Sequence, residues 1–149
     1  MKILLTWADG FLGRHLARAL MADGHEEIGC GRGRRRPAGM AWVEADFTCD
    51  RAVADWLPKV AGFDGVVNSV GILRERGAQT FASLHDGAPP ALFTACAEVG
   101  VKKVIQISAL GADAGAESRY HLSKRAADEG LMALNLDWAV IRPAPIYGD

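Results

Sequence analysis

The run Ile3-Leu-Leu-Thr-Trp7-Ala-Asp-Gly10-Phe-Leu-Gly13-Arg-His-Leu16 reads as a strand, a glycine-bearing turn and a helix that starts at once. A short unbroken apolar run suits a strand buried on both faces of a parallel sheet. From residue 11 to 22 the apolar positions recur at helical spacing. A glycine between strand and helix lets backbone N–H groups approach an anion, and the helix N-terminus favours that negative charge. The expectation is therefore a strand over 3–7, an anion-binding turn, and a helix over 11–22.

The same alternation continues outward. Apolar runs at 27–31, 41–45, 65–70, 103–108 and 138–142 are separated by helix-period segments at 50–60, 81–98 and 119–134. Thr48 and Ser118 are candidate N-caps, and Gly24, Gly62 and Gly100 fall where helices should stop. Pro89 and Pro90 predict a break or a late start in the third helix, because proline cannot donate to a helical ladder. Strands alternating with helices give an α/β fold: a doubly wound parallel sheet in a three-layer αβα arrangement. Ligands of such sheets sit at the carboxyl ends of the strands, near the switch point.

With 149 residues, half of them apolar, the chain can bury one core and gives no reason to expect a second domain. A net charge of −1 offers no electrostatic case for nucleic acid or an anionic membrane as partner. Arg32, Arg34, Arg35 and Arg36 form a local basic cluster, read either as a solvated loop or as an anion contact. Cys30, Cys49 and Cys96 are odd in number and widely spaced, which suits reduced thiols. Neither a secretory signal nor a membrane span is legible, so a cytoplasmic location is expected.

In a dinucleotide-binding sheet the turn after the first strand carries glycines with separate jobs. Gly10 suits close approach to a pyrophosphate and Gly13 close packing of the helix, with Phe11 and Leu12 between them. Trp7 stands where the first glycine of a Gly-x-x-Gly-x-x-Gly pattern belongs, and its indole would lie beside the cofactor. At the end of the second strand there is no carboxylate to hold a ribose 2′-hydroxyl. Arg32 is there instead, with Arg34 and Arg35 as helpers, and guanidinium matches a 2′-phosphate. The lean is to NADP, with NAD as the alternative. Asp46 and Phe47 are placed to flank the adenine, or equally to serve as a turn residue and a core aromatic. Asn68, Val70 and Gly71 end the fourth strand near the nicotinamide ribose.

Tyr120 and Lys124 are four apart on a predicted helix, so phenol and ammonium share one face. A nearby cation that favours phenolate eases proton transfer near neutrality. Ser108, twelve residues before Tyr120, would hold the substrate oxygen.

Together these segments resemble the short-chain dehydrogenase/reductase superfamily, and more closely its extended and atypical members, the NAD-dependent epimerase/dehydratase and NAD(P)H-binding groups. Val70-Gly-Ile-Leu-Arg74 and Ser108-Ala-Leu-Gly-Ala-Asp113 are similar to the branch related to the accessory NDUFA-nine-type subunit of respiratory complex I. The resemblance implies one NAD(P)-binding Rossmann domain over 1–149. Ser108 would orient a carbonyl or hydroxyl, Tyr120 would act as general acid or base, and Lys124 would hold the nicotinamide ribose. Pro143 and Ile146 would contact the nicotinamide end. Relatives continue past this point with a part that builds the substrate pocket, so the chain is either a fragment or a trimmed nucleotide-binding module. It implies an oxidoreductase or epimerase-like protein of unknown substrate, or else a non-catalytic NAD(P)H-binding structural or sensing module. An incomplete sheet also leaves apolar surface that a missing C-terminal part, or a second copy, would cover.

Overall fold

In the computed structural model, which describes residues 1–148, β1 (Lys2–Thr6) turns at once into α1 (Phe11–Ala22). There follow β2 (Glu26–Gly31), β3 (Trp42–Glu44), α2 (Val53–Val60) and β4 (Gly65–Asn68). A π-helical turn (Ala82–Gly87) runs directly into α3 (Ala88–Val99), and β5 (Lys103–Ile107), α4 (Arg119–Met132) and β6 (Asp137–Ile141) complete the chain. The strands form one parallel sheet in the order β3-β2-β1-β4-β5-β6. The order reverses between β1 and β4, which makes their carboxyl ends the switch point.

The two faces are covered unequally. Leu4, Ile28, Val66 and Val104 pack with Trp56, Phe93, Leu92 and Leu131 from α2, α3 and α4. On the other face Ile3, Leu5 and Val67 meet Ala17, Leu16 and Leu20 of α1. Beyond the reach of α1, Ile105 and Ile107 are only partly buried and Ile141 is exposed.

Glycines shape the β2 edge. A β-carbon at Gly29 would stand 2.4 Å from the Trp42 ring, so only glycine lets that ring lie across β2, where its Nε1–H donates to the Gly31 carbonyl at 3.0 Å. Ser118 caps α4 by accepting from the His121 N–H, and Gly100, at φ +77°, ends α3 in the left-handed conformation.

One detail differs from expectation. Thr48 does not cap α2: its N–H and hydroxyl both donate to Asp46 Oδ1, and the helix begins after Ala52, whose N–H donates to Asp55. Of the break or late start expected from the proline pair, the structure has the late start: the α-helix begins only at Ala88. Pro89 and Pro90 occupy the first α-helical turn, where no donor is needed, and the π-helical turn ahead of them supplies the entry.

Candidate cofactor and active site

The Gly turn closes on itself through Trp7. The Trp7 carbonyl accepts the Gly10 N–H at 2.8 Å, and a β-carbon at Gly13 would lie 2.0 Å from the same oxygen. That contact is impossible for any other residue at Gly13, which is the close helix packing expected of it. Trp7 itself has φ +49°, the left-handed region that a first glycine would occupy freely. Its ring is part-buried against the core, and Cδ1 lies 3.9 Å from where a β-carbon on Gly31 would be. The indole therefore leans from the end of β1 toward the end of β2.

A cavity of about 740 Å³ opens at the switch point. Gly10, Phe11, Leu12 and Gly13 line one side, Ser108, Tyr120 and Lys124 another, and Gly71, Pro143 and Ile146 a third. Residues from the turn, the segment after β4, β5, α4 and the segment after β6 line this one cavity. A second cavity of about 480 Å³ at the β2–β3 edge is lined by Arg32, Arg34, Asp46, Asp50 and Lys59. Burial opposes ionisation of Asp46, but hydrogen bonds from Thr48 and the charges of Arg32 and Arg34 outweigh it and hold the carboxyl below its usual range. Arg35 and Arg36 are exposed in the loop.

Three expected cofactor contacts point elsewhere. Asn68 is fully buried inside the sheet, accepting from Thr6 Oγ1 and donating to Gln106 Oε1, each at 2.7 Å. Its amide is spent on neighbouring strands. Phe47 is core, its ring edge-on to Trp56 at 4.9 Å. Val70 is buried and offers the site only its carbonyl oxygen.

Lys124 is buried, and its ammonium donates to Val70 O at 3.0 Å and Ile107 O at 3.1 Å. Burial pulls it down to about 8, with the Asp128 carboxylate acting in the other direction. Burial pushes the Tyr120 phenol up. The Tyr120 ring is held edge-on by Phe81 at 5.9 Å and His85 at 5.7 Å.

Several site residues carried no legible signal. His85 is buried, accepts the Ile72 N–H at Nε2 (3.0 Å), and so bears its proton on Nδ1, which faces Ser123 Oγ at 2.9 Å. Ser123 in turn donates to the Tyr120 carbonyl at 2.8 Å. Burial, then the charge of Lys124, hold the imidazole neutral, down to about 3. Thr6 and Ser69 stitch β1 to the end of β4 across the switch point. Asp128 takes the Ser108 hydroxyl at 2.7 Å. Of these only Asp128, four residues after Lys124, had a spacing that could have revealed it.

The glycine cradle, the buried ammonium and the apolar walls suit a nicotinamide dinucleotide; Trp7 is the one lining group that does not. Comparison with known proteins agrees. The chain is similar to a Caulobacter vibrioides protein named ceramide reductase, 31% identical over 153 residues, and spans about half its length, 98% of this chain against 46% of that one. Among solved structures it is similar to a putative NAD-dependent epimerase/dehydratase from Bacillus halodurans (24% identity, TM-score 0.86, 100% of this chain and 72% of that one). It is also similar to the Bordetella bronchiseptica enzyme WbmG in complex with NAD (19% identity, TM-score 0.76, 95% and 52%). These likenesses show a shared Rossmann-like fold. The model of the family described as NAD(P)H-binding matches residues 8–149, and the chain belongs to that family.

Proposed function

We propose that the chain is an NADP(H)-preferring oxidoreductase domain that acts on the carbonyl or hydroxyl group of an apolar compound. The observation that carries this is the convergence of Ser108, Tyr120 and Lys124 with the Gly10–Gly13 turn on one cavity. When bound, the nicotinamide supplies or accepts the hydride. The chain's own groups do the rest. Gly10, Phe11, Leu12 and Gly13 present backbone to the pyrophosphate, and Lys124, reaching between Val70 and Gly71, turns toward the ribose hydroxyls. Tyr120 gives its proton to the substrate oxygen in reduction, or takes it in oxidation. Ser108 meets the same oxygen. Pro143 and Ile146 wall the nicotinamide end. Arg32 and Arg34 contact the 2′-phosphate, with Asp46 beside the adenosine.

The substrate reading rests on the mouth of the cavity. Leu73, Leu110 and Ile146 are exposed there, and Phe11 and Tyr147 stand beside them. A sugar nucleotide calls for charged and amide groups at that rim. A compound with hydrocarbon chains, of the kind named for the Caulobacter relative, fits aliphatic side chains better. NADPH oxidation with a keto-ceramide, and epimerisation of UDP-N-acetylglucosamine in the presence of the oxidised dinucleotide, test the choice; Tyr120→Phe is expected to abolish turnover while leaving NADPH binding within about twofold.

A second reading is a non-catalytic NAD(P)H-binding module. It is favoured by Trp7 in the phosphate turn and by Lys124 already donating to two carbonyls. Under it NADPH raises the unfolding temperature and neither substrate is consumed. No helix among the described residues is long and apolar enough to cross a membrane. We propose a cytoplasmic location. We propose that the strip of half-buried Ile105 and Ile107 with exposed Ile141 is covered by a second copy.

A further inference from the structure

Asp128 lies on the face of α4 that carries Tyr120 and Lys124, one turn beyond the lysine. It is fully buried. Oδ2 accepts from Ser108 Oγ at 2.7 Å and from Arg142 Nε at 3.2 Å, while Oδ1 is buried and takes no hydrogen bond from the protein. A buried carboxylate with one oxygen unpaired costs stability, so what it does for its neighbour needs an account. A serine has one proton to donate. With that proton given to Asp128, the remaining surface of Ser108 Oγ, which lines the cavity, offers only lone pairs.

We propose that Asp128 is a positioning residue for Ser108: it accepts the serine's O–H hydrogen bond and so fixes the hydroxyl oxygen as a hydrogen-bond acceptor toward the cavity. Where Ser108 meets the substrate oxygen, as in the function proposed above, the resting site is then matched to an O–H group rather than to a carbonyl. Proton transfer to a carbonyl substrate falls to Tyr120 alone. A protonated Asp128 would reverse the pattern, donating to Ser108 Oγ and releasing the serine proton toward a carbonyl. The groups that face the carboxyl are Ser108 at the end of β5, Arg142 after β6 and Lys124 on its own helix. Burial raises the carboxyl; the bonds from Ser108 and Arg142 and the two cations oppose that rise.

The test needs neither cofactor nor substrate, so its outcome is separate from that of the redox reading. A Ser108→Cys protein is made in a Cys49→Ala background; Cys30 and Cys96 are buried and held near about 12, and stay silent. The iodoacetamide rate against pH gives the midpoint of the introduced thiol, and its infrared S–H stretch reports the acceptor. Adding Asp128→Asn or Asp128→Ala is expected to lower the midpoint by at least about one unit, roughly a tenfold faster alkylation at a pH below both midpoints. The S–H stretch should shift toward that of a free thiol in Asp128→Ala, and Asp128→Glu should restore both readouts. Asp128→Asn, which keeps the shape of the side chain, should retain the cooperative unfolding of the parent. An unchanged midpoint and an unchanged stretch in folded Asn and Ala variants would overturn the proposal.

Discussion

Gly71 and Lys124 are fitted to one another: a β-carbon at Gly71 would stand 2.9 Å from the Lys124 ammonium and 3.4 Å from its Cε. The lysine reaches the cavity through the space that the missing side chain leaves. Gly71→Ala should push the ammonium off the Val70 and Ile107 carbonyls without disturbing the sheet, because the tip of a lysine can move. NADPH binding is expected to weaken about tenfold, some 1.4 kcal/mol, with the circular dichroism unchanged. Calorimetric titration checks this; undiminished affinity would show that the ammonium does not serve the cofactor.

His85 links the Gly71–Ile72 segment to α4. Replacing it with leucine leaves the part-buried Ile72 N–H without its acceptor and should cost about 1 kcal/mol at pH 7 by urea unfolding. The pH dependence has a definite sign. The folded imidazole is held down to about 3 against an ordinary 6.5, so the folded chain binds fewer protons than the unfolded one in that window. Its contribution is whole above pH 6.5 and is lost as pH falls toward 3, by up to about 1.4 kcal/mol per unit. His85→Leu should flatten that slope, and an unaltered slope would assign the acid sensitivity to other groups.

We propose that Arg32 sets the dinucleotide preference at the β2–β3 edge. Arg32→Ala should weaken NADPH binding by about tenfold or more, as expected for a lost charge-assisted contact, and change NADH binding little. Equal losses for the two cofactors would mean that Arg32 acts on the fold of the loop rather than on the 2′-phosphate.

Element order was legible because apolar runs of strand length alternate with helix-period segments, and each expected strand appears within two residues of its place. Boundaries slipped where side chains compete with helices: Asp46 Oδ1 takes the Thr48 N–H and Asp50 Oδ2 takes the Asp46 N–H in a turn, and α2 starts only at Val53. The π-helical turn left no periodicity to read. In the site, residues placed by local spacing (Gly10, Gly13, Tyr120, Lys124) line the expected cavity. Asn68 and Phe47 turned inward because of Thr6, Gln106 and Trp56, partners contributed by other elements. His85 was unreadable for the same reason, since its role depends on Ile72 and Ser123 across the chain.

Trp7 concentrates the remaining question. A bulky residue at φ +49° carries backbone strain of about 1–3 kcal/mol, and its ring leans across the crevice where a dinucleotide would pass. Calorimetric titration of the parent and of Trp7→Gly with NADPH and NADH is the most direct test. The parent should bind NADPH more tightly than NADH, and Trp7→Gly should bind NADPH at least about tenfold more tightly than the parent. No heat of binding from either protein with either cofactor would contradict a nicotinamide site in this cavity.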